Sequence, residues 1–386
     1  MKRLIQFTAI VLFFGGQVFS AQAGFSSIYI WGDSISTTTN NVNPLSDPQF
    51  YGQRNCNGRT WVEVLAQRQG LGANSITNPI WNYNSNNFSY FGHYSSNVVA
   101  DVNGFSQPAN ATNCLFVLWV GNADFYGDML SATVGDPTSS QDGGGTNLAI
   151  WTTAINQHLT NHYNIITNLY AKGCRTLVAP NVADLSTIPS FNNSGVNYPN
   201  YPAFIRQRII SFNTNYVAML KQIAANSPGL TICVPDIFTL LNNVLTNAAA
   251  YGLTNALGPN GYSTDVIDAL NPAGINGPGT NYIFWDTESN PTAKMSEVIA
   301  DSVQQSLSPA RFTRIAAVGA SNRLDMVNMP IGLTNGFVLS ATALTQKTWL
   351  TNVSFITQTA TQSVFVPVAG APQFYRLQFP WQWTWP

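Results

Sequence analysis

The stretch "CLFVLWVG", Cys114–Gly121, is eight consecutive uncharged, largely apolar residues. It is too short for a core-crossing helix and too uniformly apolar for a strand with one wet face. It predicts a strand buried on both sides, as at the centre of a parallel sheet. Shorter runs of the same kind recur at "SSIYIWGDS", "CRTLVAPN" and "LTICVPD". Helical patterns separate them. "TWVEVLAQRQGL" places Trp61, Val62, Leu65 and Ala66 on one helical face. A long helix is expected from about Leu148 to Ala171, stopped at Gly173, and another near Ala203–Ala225. A last helix, "AKMSEVIADSVQQSL", starts after Pro291. This alternation, from Ser26 to about Ala310, predicts an α/β fold, a three-layer sandwich with a central parallel sheet.

After Pro309 the texture changes. "GFVLSATALTQKTWLTNVSFITQTATQSVFVPV" is rich in Thr, Val and Phe, with turn residues between short runs, so residues 311–386 are expected to form a small C-terminal all-β module. It closes with "FYRLQFPWQWTWP", where Phe379, Trp381, Trp383 and Trp385 share one strand face. Such a row could stack on sugar rings. Capping the module's own core is the commoner use of aromatics.

At the other end, Lys2 and Arg3 precede an uncharged run from Leu4 to about Phe19, followed by Ala21-Gln22-Ala23. These are the parts of a secretory leader in their usual order. Residues 1–23 are expected to be a signal peptide, residues 24–310 the α/β domain, and the product secreted, periplasmic or on the cell surface. No other run is long and apolar enough to span a bilayer. With 9% charged residues and a net charge of −1 there is no basic patch to hold nucleic acid. Cys114, Cys174 and Cys233 sit in or beside apolar runs, whereas Cys56 lies in a polar loop. Buried thiols are expected rather than a disulfide framework.

The chemistry starts at "WGDSIS". Ser34 follows directly on a predicted buried strand, and open α/β sheets bind ligands beyond the carboxyl ends of their strands. A serine there is placed to be a nucleophile, although Gly-Asp-Ser is also ordinary turn chemistry. Three more segments follow in order: "NGRTWVEVLA", "NFSYFGHYS" and "LWVGNADFY". Together with "GDS" and "FWDTESNPT" (Phe284–Thr292) they resemble the blocks of the SGNH/GDSL hydrolase family, secreted esterases and lipases. The resemblance runs from about Ser26 to Leu307. A G-x-S-x-G elbow, the mark of ordinary α/β-hydrolases, is missing from the sequence.

The resemblance implies a role for each matched residue. Ser34 inherits the nucleophile's role. The Ser34 N–H, the Gly92 N–H and the Asn122 side chain inherit the oxyanion hole, and Asp286 inherits the support of the base. It implies an ester of a small molecule or a polysaccharide as substrate, and neither cofactor nor metal. His158 and His162, four apart on the long helix, have a spacing that could seat a metal. No Cys or carboxylate-rich motif accompanies them, so a structural role is expected.

Two blocks depart from the family pattern. Where the family reads Gly-x-Asn-Asp, this chain reads Gly121-Asn122-Ala123-Asp124. Asn122 then reaches the site only if the loop bends differently; otherwise it caps the turn. Where the family reads Trp-Asp-x-x-His-Pro-Thr, this chain has Trp285-Asp286 and Pro291-Thr292 with one extra residue between them and no histidine. The slot falls on Ser289 counted from the left and on Asn290 counted from the right. Neither side chain can take a proton from a serine hydroxyl at neutral pH, as imidazole can. His93, beside Gly92, is a candidate for a relocated base; Asp286 or Glu288 acting directly on Ser34 is a lesser one.

Two readings follow. One is a hydrolase that forms a Ser34 acyl-enzyme. The other is a family member that kept the cleft, lost its base and binds an acylated or carbohydrate ligand, with sugar contact through the C-terminal module. A purely structural surface protein would explain the module but not the ordered blocks. Fatty-acyl esters, acetylated polysaccharides and lysophospholipids all remain open as substrates.

Overall fold

The computed structural model describes residues 25–38, 54–69, 71, 86–131, 146–190, 200–254, 281–286, 289–308, 310–329, 336–346, 348–356, 359, 361–369 and 373–378. The expected leader, Glu288 and the closing aromatic row lie outside these residues. Strands β1 (Ile28–Gly32), β2 (Leu115–Trp119), β3 (Thr176–Val178) and β4 (Thr231–Cys233) form one parallel sheet in the order β1-β2-β3-β4. Ile30 pairs with Val117, Val117 with Val178 and Val178 with Cys233. Every residue of β2 is buried, as its unbroken apolar run requires.

Helices α1 (Trp61–Arg68), α2 (Ser95–Gly104), α3 (Gly121–Leu130), α4 (Leu148–Ala171), α5 (Tyr201–Asn226), α6 (Ile237–Thr246) and α7 (Ala293–Leu307) accompany the sheet. They pack in two groups, α1 and α6 against α7, and α2 and α5 against α4, which supply the outer layers. The long helix α4 begins where the Asn147 side chain accepts from the Ala149 and Ile150 amides. It ends just before Gly173, whose φ of +91° is open to glycine and whose absent Cβ would lie 2.7 Å from that of Ala111.

Helix α1 was expected to bury one face; it buries nearly all of itself, Glu63 and Arg68 included. Both charges are paired. Arg54 donates to the Glu63 carboxylate through Nε at 2.7 Å, and Arg68 lies between Glu297 and Asp301 of α7. Buried charges persist only with such partners.

Beyond residue 310 every described element is a β-strand, as the texture of the sequence predicts. Strands β5 (Arg311–Val318), β6 (Ser321–Val327) and β9 (Thr361–Pro367) form one antiparallel sheet; β7 (Gly336–Ala341), β8 (Leu350–Phe355) and β10 (Phe374–Gln378) form another. Leu324, Met326, Val338, Val364 and Val366 make a core separate from that of the parallel sheet. All four cysteines are free thiols; Cys56, in its polar loop, is nonetheless buried with Cys114 and Cys174. Among the described residues no helix is long and apolar enough to cross a membrane.

Candidate active site

Strand β1 ends at Gly32, and the chain turns sharply beneath it. A Cβ on Gly32 would stand 2.6 Å from Ser36 Cβ, so only glycine lets the turn fold this tightly. The buried Asp33 carboxylate accepts from the Ile35 amide (3.0 Å) through one oxygen and from the Ala123 amide (3.1 Å) through the other. The Ser36 carbonyl accepts from Asn87 Nδ2 (2.9 Å), the Ser36 hydroxyl accepts from Trp61 Nε1 (3.0 Å), and Thr37 donates to the Ser89 carbonyl (3.0 Å). Between Ile30 and Thr38, Ser34 alone is not buried. Among the described residues neither its hydroxyl nor its amide has a hydrogen-bond partner. A rigid platform thus presents one open serine.

Gly92 comes to this platform through its neighbour. His93 is fully buried, with Nδ1 2.9 Å from the Gly32 carbonyl and Nε2 3.0 Å from Asp101, and its ring is stacked on Tyr90. Burial lowers its pKa, partly offset by the Gly32 carbonyl and Asp101. These contacts dock the loop on the serine turn and engage both ring nitrogens with groups other than Ser34. Gly92 itself has φ +73°, open space where a Cβ would be, and an amide that meets no acceptor among the described residues.

Asn122 lies at the start of α3, next to Ala123, whose amide binds Asp33. Its Oδ1 accepts from the Ala183 amide at 2.9 Å, while its buried Nδ2 has no hydrogen-bond partner among the described residues. A buried donor left unmatched costs about 1–3 kcal/mol, so its persistence calls for a use. Behind it, Asp124 accepts from the Ser95 amide at 2.8 Å, tying α3 to the helix that follows Gly92. His158 lies 2.8 Å from Asp128 and 3.6 Å from Asp124. Burial opposes its charge, but the two carboxylates leave its pKa raised overall. His162 is buried beside it and faces the His158 carbonyl.

The Asp33 pKa is pushed up to about 7. Burial is the chief cause, the Ile35 and Ala123 amides oppose it, and the Asp124 charge adds to it.

The final block folds back on itself through a bridge between Phe284 and Pro291. Asp286 accepts from the Ser289 and Asn290 amides through Oδ1 (3.2 and 3.0 Å) and from Asn290 Nδ2 through Oδ2 (2.6 Å). The two positions left open for the missing histidine differ in their surroundings. Asn290, fully buried, holds the Asp286 side chain, and its Oδ1 has no partner among the described residues. Ser289 instead lines a small apolar cavity with Ile35, Trp119, Leu241 and Phe284. Hydrogen bonds thus join the turns of Ser34, Gly92 and Asn122, and the Asp286 loop shares the cavity wall with Ile35 of the serine turn. Sequence reasoning did not foresee the Asn290–Asp286 pair or the parts played by Asn87 and Trp61 in fixing the turn. Both latter residues stand in the quoted blocks, and their capacity to hydrogen-bond was the available signal.

A family model described as GDSL-like lipase/acylhydrolase matches residues 28–303. A GDSL esterase/lipase of Arabidopsis thaliana is 27% identical over 50% of this chain and 48% of its own length. A second from the same plant is 25% identical over 78% of this chain and 95% of its own. The match to the first spans about half of that relative's length. Among solved structures, a gut microbial diltiazem-metabolizing enzyme aligns at 8% identity with a TM-score of 0.40, over 81% of this chain and 58% of that one.

Proposed function

The chain belongs to the GDSL-like lipase/acylhydrolase family, and from that premise we propose that it is an exported ester hydrolase working through an acyl-enzyme on Ser34. The unmatched donor on Asn122 carries the proposal. With the open amides of Ser34 and Gly92 it would supply three donors to an ester carbonyl attacked by the partly exposed hydroxyl of the turn. Such a set suits the oxyanion of a tetrahedral intermediate, where each donor is worth roughly 3–4 kcal/mol. Ser34 Oγ adds to the ester carbonyl carbon, and the carbonyl π pair moves onto oxygen. The intermediate collapses, the alcohol leaves with a proton, and the acyl group stays on Ser34. Water then adds to the acyl carbon, and the second collapse frees the acid and restores the hydroxyl.

The block that would carry the proton-accepting imidazole has no histidine, and Asp286 holds the amide of Asn290 instead. An amide is no base, so the proton passes to water in the site and the reaction is slow. A positioned general base is typically worth 10²–10⁴-fold, and the oxyanion hole with binding can sustain roughly 10³–10⁴-fold over water without a full triad. Residues 24–310 are read as the hydrolase domain and 311–386 as a separate module, a division supported by the two separate cores.

The same Asn290–Asp286 pair favours a second reading, a family member that binds an acylated or carbohydrate ligand without turning it over. The aromatic row at Phe379–Trp385 would suit contact with a sugar. Hydrolysis of p-nitrophenyl acetate by the mature chain and by Ser34→Ala separates the two. Turnover lost in Ser34→Ala supports the hydrolase; equal rates at the level of buffer support the binder.

A further inference from the structure

We propose that the outer face of the β5-β6-β9 sheet binds an anionic polysaccharide of the uronic-acid type, held at its carboxylates by Arg311 and Arg314 and at a sugar ring by Phe365. The inference goes beyond the hydrolase reading and does not depend on Ser34. Charge is segregated along this chain. Residues 311–386 hold five cations, Arg311, Arg314, Arg323, Lys347 and Arg376, against the single acid Asp325. Residues 24–310 hold nine cations against sixteen acids. Three of the module's cations stand on one face of one sheet.

The strand register sets out that face row by row. Leu324, Met326, Val364 and Val366 point into the module's core, so their neighbours along each strand point outward. Across the sheet the outward residues form the rows Val318–Ser321–Pro367, Ala316–Arg323–Phe365, Arg314–Asp325–Ser363 and Arg311–Val327–Thr361. Residues three apart on a regular strand face opposite sides. Arg311 and Arg314 share a side because the register shifts between Phe312 and Arg314, a bulge that re-aims the strand. Asp325 is already engaged. It accepts from the Ser363 hydroxyl at 2.7 Å and from Arg323 Nη2 at 3.2 Å. Ser363, Arg323 and Arg314 together hold its carboxyl below the usual range. Cations therefore remain in excess on this face, and Arg311 and Arg314 are exposed on the edge strand β5. Phe365, on the other edge strand, is 54% exposed.

The chemistry of the face selects the partner. A guanidinium fork matches a planar carboxylate through two parallel hydrogen bonds, and an exposed aromatic ring packs on the C–H face of a sugar. Phe365 lies two strands away from the arginines, about 10 Å across the sheet. The ligand must therefore be extended and carry charge along its length. A bilayer would need an unbroken apolar area, whereas Ser321 and Arg323 divide Val318 and Ala316 from Pro367 and Phe365. Nucleic acid binding draws on many more phosphate contacts than three arginines make.

The test is affinity electrophoresis of the mature chain through gels containing polygalacturonate, with dextran as the uncharged polymer. Polygalacturonate is expected to retard the wild-type chain, less so as salt is raised, and dextran to leave its mobility unchanged. Arg311→Gln combined with Arg314→Gln should weaken the apparent Kd by roughly tenfold or more. Phe365→Ala should weaken it with no change of charge. Lys221→Gln combined with Arg376→Gln removes the same charge from other exposed positions and should bind as wild type. Circular dichroism checks that each variant is folded. No retardation, equal retardation in dextran, or equal losses from the two charge-matched pairs would overturn the site. Pelleting with phosphatidylglycerol vesicles in the absence of polygalacturonate binding would give the face to a membrane instead. A dimer in sedimentation that Arg311→Gln with Arg314→Gln dissolves, again without polygalacturonate binding, would give it to a second copy of the chain.

Discussion

Asn290 donates its side-chain amide to the Asp286 carboxylate at 2.6 Å. Its carbonyl oxygen is buried without a partner among the described residues. In the proposed hydrolase, the aspartate that would support a base thus holds a side chain with no basic atom. Asn290→His should put a base on that mount. The expected result is a rise of roughly 10²-fold or more in kcat for p-nitrophenyl acetate, abolished by adding Ser34→Ala. Asn290→Ala should bring no gain. An Asn290→His protein that folds and remains at the wild-type rate would show that this position does not face Ser34.

In the proposed hydrolase Asn122 has two tasks that a single substitution separates. Its Oδ1 holds the Ala183 amide, and its Nδ2 is free for substrate. Asn122→Asp retains the acceptor and removes the donor. It should lower kcat by about 10²–10³-fold with little change in KM. Asn122→Ala also strands the Ala183 amide and should cost about 1–3 kcal/mol of stability in urea unfolding.

Asp33 predicts a pH dependence of stability with a definite sign. Its folded pKa of about 7 lies above that of an unfolded aspartate, near 3.9. Between those values the folded chain holds a proton that the unfolded chain has lost. This group therefore makes the protein more stable as pH falls from about 7 toward 4 and less stable as pH rises. The difference in unfolding free energy between wild type and Asp33→Asn, measured across that range, should move in favour of wild type as pH falls. A difference that stays flat would mean that the carboxyl is ionised throughout.

The buried charges between α1 and α7 give a prediction away from the chemistry. Arg68 is 4% exposed and meets Glu297 and Asp301. Arg68→Ala leaves the buried Asp301 carboxylate, and the partly buried one of Glu297, without this cation and should cost about 3–5 kcal/mol. Thermal or urea unfolding reads this directly.

Much of the fold was legible because the signals were local. The unbroken apolar run at Leu115–Trp119 could only be a strand covered on both faces, and the helix ending before Gly173 was marked by a glycine that its φ of +91° requires. The change of texture after Pro309 was equally local. What pattern alone could not reach was tertiary. Glu63 and Arg68 sit on a short amphipathic stretch that reads as half exposed, and only α7 and Arg54 explain their burial. In the same way, the extra residue between Asp286 and Pro291 left two positions for the missing histidine. That Asn290 turns its side chain onto Asp286 while Ser289 lines the cavity follows from how the loop folds back at the bridge between Phe284 and Pro291, a pairing that sequence spacing does not disclose. His93 is a further case. Its place beside Gly92 suggested a base, whereas its ring nitrogens are directed at the Gly32 carbonyl and Asp101.

The proposed catalysis through Ser34 without an imidazole has one direct consequence, because the missing base is needed twice. Water must be activated to release the acyl group, and nothing at Asn290 can do so. The mature chain should therefore accumulate an acyl-enzyme when mixed with p-nitrophenyl acetate. Intact-protein mass spectrometry after rapid acid quenching should find one added acetyl group, mapped by digestion to the peptide bearing Ser34, absent from Ser34→Ala and short-lived in Asn290→His. A chain that gains no acetyl group, or gains it at a residue other than Ser34, would contradict the account.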